Sequence, residues 1–158
     1  MAVPRVGQGD GSVAFINSND ARQVDRLGGA AGGDAWGGSL WFRTALGVGV
    51  SGGGVISVAN PFGRAMFVGR MYVYTTTKST GASTVDFGVA ANGTTSADTL
   101  LDGVDLGTAV GVFSNVDDKG TNGKGRQLLG ATQFVTGSQA TGAVAGLVGF
   151  AYIEFFDP

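Results

Sequence analysis

Residues 64–77 read Arg64-Ala65-Met66-Phe67-Val68-Gly69-Arg70-Met71-Tyr72-Val73-Tyr74-Thr75-Thr76-Thr77. Apolar residues run through this stretch with a period of two, not 3.6, and β-branched and aromatic types dominate its second half. It predicts one long strand. Strict alternation puts Ala65, Phe67, Gly69, Met71 and Val73 on an inward face and Met66, Val68, Arg70, Tyr72 and Tyr74 on the other. The second face mixes aromatic bulk with a charge, as a surface that meets a partner would. Asn60-Pro61-Phe62-Gly63 before it and Lys78-Ser79-Thr80-Gly81 after it are turn sequences.

The same reading extends outward. Residues 55–59, 83–91, 109–115, 128–136 and 143–156 are further strand candidates, with Val85, Phe87 and Val89 inward and Asp86 outward in the second of these. The last is apolar on both faces. Val144, Val148, Phe150 and Tyr152 share one side, and Ala145, Leu147, Ala151, Ile153 and Phe155 the other. Such a strand belongs in the middle of a sheet, its outer side packed on something else. Residues 96–101 are compatible with a single helical turn capped by Ser96 or Asp98. Asn92-Gly93 is a hairpin-type dipeptide, and also begins an Asn-x-Thr pattern that reads more simply as a turn. Six or seven strands, regular turns, no amphipathic helix and no fixed repeat predict an all-β fold, a β-sandwich or jelly roll.

Upstream of residue 55 glycine is dense and strand signals are weak, yet Phe15, Ile16, Trp36, Leu40, Trp41 and Phe42 lie there. Glycine loses much backbone entropy on ordering, whereas aromatics are scarce in plain linkers. The expected division is therefore a glycine-rich extended N-terminal arm, 1–54, and a body, 55–158. The arm either lies on a partner or wraps its own body.

Composition excludes much chemistry. Of 158 residues, 30 are glycine, none is histidine or cysteine, and Glu154 is the single glutamate. That removes the imidazole base, the thiolate nucleophile, the usual zinc ligands and any disulfide. No catalytic residue, cofactor or metal site is assigned. Gly47-Val48-Gly49-Val50-Ser51-Gly52 fits the dinucleotide pattern literally, but the strand-to-helix context it needs is missing. Asp98, Asp102, Asp105, Asp117 and Asp118 have no EF-hand spacing and read as turn-makers. Asp86 and Glu154 are the nearest approach to a paired-carboxylate enzyme, and nothing in the sequence raises either pKa.

Charged residues are 14% of the chain, against about 25% in a typical soluble domain. Net charge is −2 and the basic residues are scattered, which gives no footprint for nucleic acid or for an anionic membrane. The first residues lack the apolar core of a secretory signal, and no run is long enough to span a membrane as a helix, so synthesis in a cytoplasm is expected. A chain so poor in charge, with 43% hydrophobic residues, is expected to cover part of its surface with other subunits. Aromatic residues supply the candidate contacts. Trp36, Trp41 and Phe42 are assigned to a larger partner, and Tyr72, Tyr74, Tyr152, Phe155 and Phe156 to a subunit interface.

Asn60-Pro61-Phe62-Gly63 with its long strand, Thr75-Thr76-Thr77-Lys78-Ser79-Thr80-Gly81-Ala82-Ser83, Asp86-Phe87-Gly88-Val89-Ala90 and Thr94-Thr95-Ser96-Ala97-Asp98-Thr99-Leu100-Leu101-Asp102-Gly103 follow one another in order. In style and order this resembles the small capsid cement or decoration proteins of tailed bacteriophages, over roughly the C-terminal two-thirds. The resemblance implies a jelly-roll-like homotrimer bound outside an icosahedral capsid, near its threefold and quasi-threefold positions. Its partners would be its own copies and the major capsid protein, and its location the virion exterior. The alternative is a receptor- or carbohydrate-binding module of a head or tail fibre, which would use exposed aromatics beside loop carboxylates or amides.

Overall fold

A computed structural model of the chain describes residues 15–17, 40–47 and 54–158. Trp36 and the glycine-rich match at residues 48–52 lie outside the described residues. Among the described residues ten strands follow in order: β1 Phe15–Asn17, β2 Leu40–Ala45, β3 Gly54–Ala59, β4 Met66–Thr77, β5 Ser83–Ala90, β6 Leu101–Asp105, β7 Gly111–Ser114, β8 Gln127–Leu129, β9 Phe134–Gly142 and β10 Val148–Phe156. Among the described residues there is no helix. The six-stranded sheet has the order β1-β2-β10-β4-β7, with β8 also paired to β4; the four-stranded sheet has the order β3-β9-β5-β6. Pairing is antiparallel except between β1 and β2. The protein is an all-β sandwich.

One core lies between the sheets. The six-stranded sheet contributes Met66, Val68, Met71, Val73, Ala151, Ile153 and Phe155, and the four-stranded sheet Val55, Ile56, Val58, Val85, Phe87, Val104 and Val135. Leu100, Leu106 and Leu147 reach the same cluster from the connections. Each fully buried side chain of this size stabilises by about 1.5–3 kcal/mol, so the fold rests on pairing these two faces. Leu40–Ala45 belongs to this body: β2 pairs along β10 from Ala45↔Phe150 to Leu40↔Phe155.

The long strand β4 forms, but its two ends present opposite phases. Met71 and Val73 point inward as expected, whereas near the start Met66 and Val68 are buried and Phe67 is half-exposed. The cause is a β-bulge. Met71 is opposite Ile153 and Val68 opposite Phe155, so Gly69 and Arg70 together face only Glu154. One extra residue inverts the alternation. Asn115, with no exposed surface, satisfies the freed backbone. Its Oδ1 accepts from the Met71 N–H (2.8 Å), and its Nδ2 donates to the Gly69 carbonyl (2.9 Å) and the Lys124 carbonyl (3.1 Å). Glu154 Oε2 accepts from the Arg70 N–H at 2.9 Å. A Cβ on Gly69 would stand 2.8 Å from Glu154 Oε2 and from the Phe156 ring, so glycine permits this close approach.

Three further expectations are corrected. Residues 96–101 form no helical turn. Thr99 Oγ1 accepts from the Val89 N–H and the Leu100 N–H donates to the Phe87 carbonyl, so the segment spends its bonds on β5, and Leu101 opens β6. The stretch 128–136 divides into β8 and β9 around a turn in which Gln133 Oε1 accepts from the Gly130 N–H. Residues 143–147 turn through Gly146 at φ +77°, and β10 begins only at Val148.

Candidate functional site

The outer face of the six-stranded sheet carries an aromatic surface. On β10, Ala151, Ile153 and Phe155 point into the core, so Phe150, Tyr152, Glu154 and Phe156 point out. Register then sets their neighbours: Tyr152 lies opposite Tyr72 and Arg43, Phe150 opposite Tyr74 and Ala45, and Phe156 opposite Phe67. Trp41 stacks on Tyr72 with centroids 5.6 Å apart and planes at 21°. Phe67 stacks on Phe156 at 5.3 Å. The Arg43 guanidinium lies 3.6 Å from the Phe150 ring centre, a cation–π contact. At the β7 edge, Tyr74 is 41% exposed and its partner Val112 60% exposed.

The two sets of residues assigned from sequence to different partners thus meet on one surface. Trp41, Tyr72, Tyr74, Tyr152 and Phe156 all belong to it. Phe155 does not. It is 1% exposed and packs edge-on against Phe42 and Phe62, so it presents nothing to a neighbouring subunit. Phe42 is likewise turned inward, packed against the core. The physical reason is the pleat: Phe155 and Phe156 are adjacent in sequence and therefore on opposite faces. Arg43, Phe67, Phe150 and Val112 also belong to the surface and were not singled out from sequence. The alternation Phe150, Tyr152, Glu154, Phe156 carried the signal for one of them; Phe67 was hidden by the bulge.

The acidic residues act mainly in turns. Asp105 accepts from the Gly107 and Thr108 N–H groups, and the Thr108 hydroxyl, followed by those amides, holds its carboxyl below the usual range. Asp118 accepts from the Ser114 N–H, Asp102 from the Asn122 N–H and Asp98 from the Asn122 side-chain amide. Asn92 Oδ1 accepts from the Thr94 N–H, an Asx turn at the hairpin-type dipeptide. Among the described residues no three acidic side chains gather to hold a metal ion. Asp86 is on β5 and Glu154 on β10, one in each sheet and on opposite outer faces, so they flank no common cleft. Burial pushes the Asp86 carboxyl above its ordinary value, opposed by the Gly103 N–H it accepts and assisted by Asp102 and Asp98. Among the described residues no helix is long and apolar enough to cross a membrane.

A scan against protein-family models, a search of curated proteins and a search of solved structures each found no match to this chain.

Proposed function

We propose that this protein is a structural component of a phage particle, a jelly-roll-like homotrimer that binds the outside of an icosahedral capsid and cements or decorates it. The observation that carries the assembly reading is the outer face of the six-stranded sheet, where Trp41, Tyr72, Tyr74, Phe150 and Tyr152 lie together on a rigid sheet. Aromatics and arginine are the residue types enriched at interface cores. The capsid itself, and its major protein as second partner, come from the resemblance of roughly the C-terminal two-thirds of the chain to decoration proteins. Trimerisation supplies the energetic logic. Three modest footholds on one rigid particle act at high effective concentration, so weak contacts per chain give lasting attachment. Part of the glycine-rich stretch before Leu40, Trp36 included, reaches the shell, and Trp41 acts from the sheet. The protein is made in the host cytoplasm, carries no catalytic residue and needs no cofactor.

Light scattering of the purified chain, then co-sedimentation with phage heads, tests this. A trimer that pellets with heads is the expected result, and Trp41→Ala is expected to lower occupancy. A monomer that ignores heads overturns the reading. The alternative, a carbohydrate-binding fibre module, draws on the same Trp41–Tyr72 stack, since sugars also lie on aromatic platforms. Binding on a glycan array by a chain that ignores heads would select it.

A further inference from the structure

Arg70, Lys124 and Arg126 converge on an open depression above the bulge of β4, lined also by Gly69, Glu154 and Phe156. The local structure fixes where these cations start. Arg70 is the second bulged residue, its N–H held by Glu154. Lys124 is clamped through its backbone: its carbonyl accepts from buried Asn115 and its N–H donates to the Thr99 carbonyl at 3.0 Å. Arg126 precedes β8, its guanidinium 6.0 Å from the Phe67 ring centre. Among the described residues the one ion pair is Arg64–Asp157, so none of these three cations has a carboxylate partner there. The depression carries three positive charges against Glu154, a local balance of 3 − 1 = +2 in a chain whose net charge is −2. Clustered like charges repel, so folding alone gains nothing from this arrangement.

We infer that this depression is a binding site for an acidic segment of a partner protein, taking one or two carboxylates on the cations and an apolar neighbour against Phe156. The inference rests on the assembly reading and deepens it by naming the chemistry of one partner surface. The depression is open, which suits part of a large molecule better than an engulfed small one. Three cations with a carboxylate among them suit one or two charges; a nucleic acid or sulfated chain requires a longer basic stripe.

The test uses the full chain and fluorescence anisotropy with a labelled peptide of alternating glutamate and leucine. The controls are its glutamine-for-glutamate counterpart, an oligothymidylate and a sulfated oligosaccharide. The glutamate peptide is expected to bind with marked salt dependence, and Arg70→Gln with Arg126→Gln to weaken it about tenfold, as loss of complementary interface charge does. Thermal unfolding checks that the double variant is folded. Arg70→Lys, which keeps the charge, is expected to retain most binding, and gives a second reading should the double variant not fold. Equal binding of both peptides, an unchanged affinity in the double variant, or binding of the oligonucleotide or sulfated sugar alone would overturn the site. Light scattering on the same samples separates the two claims. A trimer without peptide binding removes the site and leaves the assembly. Peptide binding by a monomer that ignores phage heads removes the assembly and leaves the site.

Discussion

The two sheets share one core and differ on their outer faces. The four-stranded sheet is finished by small polar groups and by its own chain. Ser57, Thr84, Asp86 and Asp105 lie along it, and the Thr84 and Thr141 hydroxyls bond across the strands at 2.7 Å. The loop after β5 lies over Gly88, where an added Cβ would stand 2.7–2.8 Å from Thr99 and Ala97 atoms, and Thr136 Oγ1 donates to the Thr95 carbonyl. The six-stranded sheet instead presents Trp41, Tyr72, Tyr74, Phe150 and Tyr152. The buried faces and the aromatic outer face are therefore different surfaces. Residues between the sheets hold the fold, and the aromatic outer face is the one through which the proposed assembly would act.

The sharpest division runs through two neighbours on β10. Phe155→Ala is expected to cost about 3–5 kcal/mol, as for other buried aromatics, and Phe156→Ala about 1 kcal/mol, the worth of a half-buried stacked pair. Urea unfolding of the two variants reads the contrast, and equal losses would erase it. Next, Asn115→Ala strips three backbone groups of their partners at the bulge. About 3 kcal/mol of destabilisation is expected, roughly 6–12 °C in Tm by calorimetry. A loss of a few tenths would show that water replaces the amide there.

Charge placed on each outer face separates association from folding. Tyr152→Arg is expected to leave unfolding of the isolated chain within about 1 kcal/mol while shifting the light-scattering mass to monomer. Thr84→Arg on the polar sheet is expected to change neither. Dissociation by Thr84→Arg, with a trimer kept in Tyr152→Arg, would reverse the roles of the faces.

The smallest expected effect is a pair of opposed pH slopes on the four-stranded sheet. Asp105 has a lowered pKa when folded, so its stabilisation is present above the unfolded value and lost as pH falls through the folded one. Asp105→Asn should flatten the acid limb of the stability curve. Asp86 has a raised pKa, led by burial, so its ionised form opposes folding at neutral pH and that opposition fades as pH drops through the folded value. Asp86→Asn should slightly raise stability at pH 7, by less than about 0.5 kcal/mol, because the amide oxygen still accepts from Gly103. Parallel slopes for the two variants would contradict these assignments.

Much of this was legible in the chain. Period-two runs located β3, β4, β5, β7 and β10, and Asn60-Pro61-Phe62-Gly63 marked a real turn, its Asn60 Oδ1 accepting from the Phe62 N–H. Tyr72 and Tyr74 were legible as surface aromatics because the face of β4 they share also carries Arg70. Phe155 was misread because both faces of β10 are apolar, so composition does not say which faces inward. β2 was hidden because Leu40–Ala45 is short and flanked by glycine, and pairing with β10 supplies what its own propensity does not.

By itself the sequence determined the kind of molecule: an all-β chain without histidine or cysteine, poor in charge and rich in glycine. Those properties follow from residue type and local period, which each segment carries alone. Tertiary structure decided the phase of β4, the inward turn of Phe155, the meeting of Trp41 with Tyr72 and the cationic depression. Each of these depends on a partner far along the chain. A bulge at Gly69 and Arg70 is stable only when Asn115 and Glu154 arrive to take its backbone groups. No local pattern announces that arrival.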